Sequence, residues 1–205
     1  NRLMTADFAD GKISNIRDLT ADFKYNAAGP VWTADSKSIY FNALAEGLQG
    51  IFRVNADGSI TRITKENAWY DYDSPFAIVQ NGEETQLLAS WCSMDFPTEL
   101  VKVAVADGKS EQITHENEHI LSQLAEHKTE ARMVKTVDGK DMLTWVLYPP
   151  QFDSTKTYPG IVICLGGPQG TLSQSWSYRW NYRLMSAQGY VVALPNRRGT
   201  TAFGQ

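Results

Sequence analysis

The tripeptide Ala-Asp-Gly occurs three times, at Ala9-Asp10-Gly11, Ala56-Asp57-Gly58 and Ala106-Asp107-Gly108, 47 and 50 residues apart. Each copy leads into a short alternating segment that ends in threonine: Asn15 to Thr20, Ile60 to Thr64 and Ser110 to Thr114. Ile51-Phe52-Arg53-Val54 precedes the second copy and Leu100-Val101-Lys102-Val103 the third. Asp-Gly between two alternating runs is a hairpin signal, because both positions of the tight turn tolerate positive φ. Further upstream, Pro30-Val31-Trp32, Asp35-Ser36-Lys37 and Ser38 to Phe41 read as strand, turn and strand. Ser74 to Ile78, Asn81-Gly82-Glu83 and Gln86 to Ser90 repeat that order. Four short strands per period of roughly 50 residues is the arithmetic of a β-propeller blade. Residues 1–125 are therefore expected to form a partial β-propeller of four-stranded antiparallel blades, about two and a half of them. A complete ring needs at least four blades.

Composition excludes several classes. The 205 residues are 42% hydrophobic and 20% charged, with a net charge of −4. That is ordinary for a folded protein and gives no electrostatic case for nucleic acid or an anionic membrane. No apolar run nears the roughly 18–20 residues that span a bilayer. Cys92 and Cys164 make no disulfide framework. Cys164 lies in an apolar run and is expected to be a buried free thiol.

The grammar changes after about residue 125. Arg132 to Val137, Asp138-Gly139-Lys140 and Met142 to Tyr148 read as a hairpin that Pro149-Pro150 ends. Ile161 to Leu165 is continuously apolar, as in a parallel strand buried on both faces, and runs into Gly166-Gly167-Pro168. Ser175 to Gln188 carries Trp176, Trp180, Tyr182, Leu184 and Met185 and reads as a helix, with Gly189 beyond its C-terminus. Its aromatic stripe, with Tyr178, is expected to pack in the core rather than wall a pocket. Tyr190 to Leu194 is a second buried strand, followed by Pro195-Asn196-Arg197-Arg198-Gly199. Strand, glycine turn, helix and strand make a βαβ unit.

Tyr158-Pro159, the apolar strand, Gly166-Gly167-Pro168, the Trp/Tyr-rich segment and Pro195-Asn196-Arg197-Arg198-Gly199 resemble the start of the catalytic domain of prolyl oligopeptidase-family serine peptidases. The dipeptidyl-peptidase and acylaminoacyl-peptidase branches are the most similar. The resemblance implies that residues 126–205 are the N-terminal part of an α/β-hydrolase domain, placed after the partial propeller. It implies short peptides as substrate, no organic cofactor and no metal. Such enzymes attack the scissile carbonyl with a serine on a Gly-x-Ser-x-Gly elbow, served by a histidine and an aspartate that follow it. This sequence holds no Gly-x-Ser-x-Gly, and His115, His119 and His127 all precede the α/β strands. The triad is expected beyond residue 205, and residues 1–205 alone are expected to be inactive. Both ends read as those of a piece of a longer protein. Bacterial relatives of this kind are often exported, although no targeting segment is visible.

What the resemblance does carry over is part of an oxyanion hole: the backbone N–H of Gly167 as donor, with Gly166 shaping the turn. Leu165, the residue before them, has no side-chain donor. Arg197 and Arg198 follow the C-terminal end of a strand, where open α/β sheets place ligands. They are candidates for binding a substrate carboxylate or carbonyl, with a structural salt bridge the alternative, favoured for Arg198. His115-Glu116-Asn117-Glu118-His119 matches the His-Glu-x-x-His of zinc peptidases. Its polar setting after Thr114 points instead to a solvated loop or a single helical turn. A zinc peptidase and a non-enzymatic propeller scaffold are the competing readings. In the scaffold reading, exposed strand edges would favour association of two copies.

Overall fold

A computed structural model describes residues 1–65, 69–82 and 84–204. Glu83, the last residue of one expected turn, lies outside the described residues. The chain is mostly antiparallel sheet. β1 (Met4–Ala9) and β2 (Lys12–Asp18) form a ribbon closed at Asp10-Gly11. β3 (Ala27–Trp32), β4 (Ser38–Ala45), β5 (Leu48–Asn55) and β6 (Ile60–Arg62) follow as a meander in chain order. β8 (Ala77–Asn81), β9 (Glu84–Ser93), β10 (Phe96–Ala104) and β11 (Ser110–Gln112) repeat it, with a two-residue strand, β7 (Asp71–Tyr72), added beside the far end of β9.

The repeated threonine has a repeated structural role. The hydroxyl of Thr20 accepts a hydrogen bond from the Leu3 amide at 2.8 Å, that of Thr64 from Ile51 at 3.1 Å, and that of Thr114 from Leu100 at 2.9 Å. One residue earlier, the amides of Leu19, Ile63 and Ile113 donate to the carbonyls of the same three partners. Each threonine thus extends a ladder by one bond after the backbone has turned away. Asp57 and Asp107 each accept from the amide two residues on, which fixes the hairpin turn.

The sheets stack face to face. Along β4, Ile39, Phe41 and Ala43 join Leu3, Leu19 and Phe52 in one core, while Tyr40 turns to the other side with Ile51, Tyr72, Leu87 and Val101. The period-two alternation of a strand therefore supplies both cores, and the β3–β6 sheet is covered on both faces. Stacking is close at Gly108, whose φ is +68° and where a Cβ would fall 2.2 Å from the carbonyl oxygen of Ile63. Only glycine fits there.

The last sheet has the order β12 (Thr129–Lys135), β13 (Asp141–Leu147), β15 (Val191–Pro195), β14 (Gly160–Val162). The hairpin forms as expected, and β14 pairs with β15 in parallel, as a βαβ unit requires. Leu143, Trp145, Leu147, Val192 and Leu194 build its core, and Leu48 and Met94 from the repeated sheets complete it.

Four expectations are corrected. The helix is shorter: α2 spans Tyr182–Ala187, not Ser175 to Gln188. Asn181 is extended, and its side chain accepts from the Arg183 amide, so the helix is capped and started there. Tyr178 and Trp180 lie ahead of it, 79% and 58% exposed, not in the core. The strand expected at Ile161–Leu165 ends at Val162 and is the edge of its sheet, with Val162 exposed. Cys164 is accordingly exposed, and both cysteines are free. Gly160, Val162 and Cys164 share one uncovered face of this run while Ile161 and Ile163 turn inward, so the run is buried on one face only. Among the described residues, no helix is long and apolar enough to cross a membrane.

Candidate active site

The glycine turn leaves the end of β14 and folds back on itself. The Gly167 carbonyl accepts from the amides of Gln169 and Gly170. Gly167 has φ +67°, and nothing lies within 4 Å of where a Cβ would stand on it or on Gly166. The Gly167 amide belongs to the peptide group before the one whose carbonyl closes the turn. Among the described residues that amide donates to no protein group. An N–H without a protein acceptor, on a turn whose glycines have open space beside them, is accessible to an oxygen from outside the chain.

The segment after β15 braces this turn. Arg197 donates through Nη1 to the Pro168 carbonyl at 2.8 Å and through Nη2 to the Leu165 carbonyl at 3.1 Å. Asn196, buried, accepts from the Leu172 amide and donates to the Leu172 carbonyl, both at 2.8 Å. The indole of Trp145 donates to the same carbonyl at 3.0 Å. Arg198 reaches across to Asp138 in the β12–β13 turn. Hydrogen bonding from Thr136, then the Arg198 guanidinium, holds the Asp138 carboxyl down at about 2. Both arginines thus have protein partners. A cleft of about 1120 Å³ opens here, lined by Gln169, Asn196, Arg197 and Arg198 on one side and by Lys24 and Asn26 of the β2–β3 connection on the other.

The loop continues into contacts that no sequence signal marked. Ser173 donates to Asp71 at 2.5 Å, and Asp71 also accepts from the Gln49 amide at 2.9 Å. The side chain of Gln174 accepts from the Met94 amide at 3.4 Å. Arg183 of α2 donates to the carbonyls of Asp95 and Ala125. The ring of His127 lies 2.9 Å from the Asp95 carboxylate. Burial, opposed by the bonds from Ser173 and Gln49, pushes the Asp71 carboxyl up to about 6. The Ser173–Asp71 pair is separated by 102 residues, so no local pattern can announce it.

The His-Glu-x-x-His match is a loop and a single turn. The helix α1 covers only Glu118–Leu121, so His115 lies outside it and pairs with Glu118 at 3.2 Å. Buried Glu99 organises the loop, accepting from the Thr114 hydroxyl, the Glu116 amide and both nitrogens of Asn117. Burial by itself would raise its pKa, but these bonds outweigh it and the carboxyl is lowered. The two histidines do not share a helical face, and among the described residues no group of three metal-ligating side chains gathers.

Solved structures share this fold. Acylaminoacyl peptidase in complex with Z-Gly-Gly-Phe-chloromethyl ketone matches with a TM-score of 0.72 and 21% identity, over 94% of this chain and 28% of that one. Porphyromonas gingivalis dipeptidyl peptidase 4 matches at 0.64 and 18%, over 97% of this chain and 28% of that one. The chain belongs to the prolyl oligopeptidase family of peptidases. Within it, the sequence is 42% identical over all 205 residues to Dipeptidyl-peptidase 5 of Porphyromonas gingivalis. It is 43% identical over 169 residues, 82% of the chain, to Dipeptidyl-peptidase 5 of Porphyromonas endodontalis. Dipeptidyl-peptidase 5 of Trichophyton equinum is 33% identical over 179 residues, 85% of the chain. The chain spans 28%, 23% and 24% of the lengths of these three proteins. No family model matches it.

Proposed function

We propose that this chain is the stretch of a dipeptidyl-peptidase-type serine peptidase in which a propeller hands over to an α/β-hydrolase domain. In this reading residues 1–125 hold the outer half of one blade and two full blades, and residues 126–205 begin the catalytic domain. The observation that carries it is the 42% identity to Dipeptidyl-peptidase 5 across the whole chain. The parent releases dipeptides from the N-terminus of short peptides by Ser-His-Asp chemistry, with all three triad residues beyond residue 205. The contribution of this stretch to the reaction is the Gly167 amide, which stabilises the oxyanion of the tetrahedral intermediate, with Gly166 leaving the approach open. The free amide on an open turn beside the cleft supports that role.

The test is made in the whole enzyme. A dipeptidyl chromogenic substrate should be cleaved, and a serine-directed phosphonate should stop the cleavage while a chelator leaves it intact. Loss of one oxyanion donor typically costs about 100- to 1000-fold in kcat. Gly167→Ala, which strains a backbone at φ +67°, should lower kcat in that direction with KM little changed. Residues 1–205 alone should show no turnover. Chelator-sensitive activity that His119→Ala abolishes would replace this reading with the zinc one.

A further inference from the structure

We propose that Arg197 and Asn196 are positioning residues that hold the glycine turn in its donor geometry, and that Arg197 does not bind substrate. This rests on the oxyanion reading of Gly167 and extends it to the side chains that aim the donor.

A turn that must leave space for substrate cannot be held by packing. Gly166 and Gly167 have no side chains, and the space beside them is open. Two amides donating to the Gly167 carbonyl close the turn but do not attach it to the sheet. The attachment comes from two adjacent residues at the end of β15. Arg197 takes the carbonyls of Leu165 and Pro168, the residues on either side of Gly166-Gly167. Asn196 takes both backbone groups of Leu172, where the loop rejoins the core. The Asn196 amide also donates to the Leu143 carbonyl in β13, so the brace is anchored in the next strand.

The chemistry suits the task. A guanidinium presents its donors as a planar fork, and each bond from it to a carbonyl is charge-assisted. One fork spanning the glycine pair holds the peptide groups on either side of it relative to β15, so the Gly167 amide lies between two fixed points. A lysine is a point charge on a flexible stem and cannot hold two carbonyls at that spacing in one plane. Two of the five guanidinium donors of Arg197 go to turn carbonyls, which orients the group toward the turn. A displacement of about 1 Å at a reacting centre can cost about 100-fold in rate.

The experiment uses the whole enzyme and three variants: Arg197→Lys, Asn196→Asp and Gly167→Ala. Steady-state kinetics are measured with a dipeptidyl substrate. Inhibition is measured with two probes, a dipeptidyl boronate that forms a tetrahedral adduct and the free dipeptide product. Arg197→Lys is expected to lower kcat about 10- to 100-fold, with KM within about twofold. Affinity for the boronate should fall by a similar factor, and affinity for the dipeptide should not change. A rise in KM and in the dipeptide inhibition constant with kcat retained would make Arg197 a substrate ligand and overturn the proposal. Unchanged kcat and unchanged boronate affinity would overturn it as well. Arg197 is exposed, so its lysine variant is expected to fold, and this arm stands even if Asn196→Asp does not accumulate. A large kcat loss in Gly167→Ala with none in Arg197→Lys sinks the brace alone. No kcat loss in Gly167→Ala sinks the oxyanion reading beneath it.

Discussion

Asp71 lies at the junction between the stacked sheets and the loop that follows the glycine turn, 8% exposed and, among the described residues, with no cation among its hydrogen-bond partners. Burial raises its pKa from 3.8 to about 6, against the bonds from Ser173, Gln49 and Gln174, with Asp73 adding to the rise. The folded protein therefore holds a proton on this group more tightly than the unfolded chain. Below about pH 4 both states are protonated and the group is neutral in the balance. As pH rises through the window from about 4 to 6, the unfolded state gives up its proton first and stability falls. Above the folded pKa the loss is complete, at about 3 kcal/mol. Asp71→Asn removes the titration and keeps the acceptor for Gln49, while its amide nitrogen can donate to the Ser173 hydroxyl. The assay is urea unfolding of both proteins at a series of pH values from about 4 to 8. Relative to the variant, wild type should lose about 3 kcal/mol across the window and no more above it. Parallel profiles would show that Asp71 does not titrate with a raised pKa. A wild type that gains on the variant as pH rises would mean that the three hydrogen bonds outweigh burial, and the reasoning would be refuted.

Other expected outcomes are equally concrete. Thr64→Val leaves the amide of fully buried Ile51 without its acceptor and should destabilise by about 1–3 kcal/mol in urea, while Thr64→Ser should cost clearly less; equal losses would deny the hydroxyl its structural role. Gly108→Ala, whose Cβ would lie 2.2 Å from the Ile63 carbonyl, should lower the unfolding midpoint well beyond Gly82→Ala, where positive φ is the only obstacle. A similar drop for both would show that the sheets do not stack closely at Gly108. A thiol reagent at neutral pH should modify exposed Cys164 rapidly and Cys92 slowly, since burial, then the Asp71 and Asp73 carboxylates, pushes the Cys92 thiol up to about 11. Two equal rates would contradict the burial of Cys92. Arg198→Ala should leave the unfolding midpoint where it is, because its pair with Asp138 is solvent-exposed and screened.

The repeat was legible because its elements are local. Asp-Gly turns, alternating strands and a terminal threonine depend on neighbours a few residues apart, and the hairpins formed where those signals stand. The glycine turn was legible for the same reason, whereas the parallel pairing of β14 with β15 joins distant segments and followed from the order strand, helix, strand. The sequence misled where local pattern competes with context. Ser175 to Gln188 has the aromatic content of a buried helix, but Asn181 caps its own successor and holds the earlier residues out of it. Cys164 has apolar neighbours, yet it leaves an edge strand toward solvent.

By itself the sequence determined the strand grammar, the glycine turn and the absence of a Gly-x-Ser-x-Gly from these residues. Tertiary structure alone decided what each polar group answers to. Arg197 and Arg198 read alike as charges after a strand, but one clasps two turn carbonyls 29 and 32 residues back and the other meets Asp138, 60 residues back. Ser173 finds Asp71 across 102 residues. Period and turn chemistry are properties of adjacent residues. A buried hydrogen bond between distant segments depends on how whole sheets stack, and no short window of sequence contains that information.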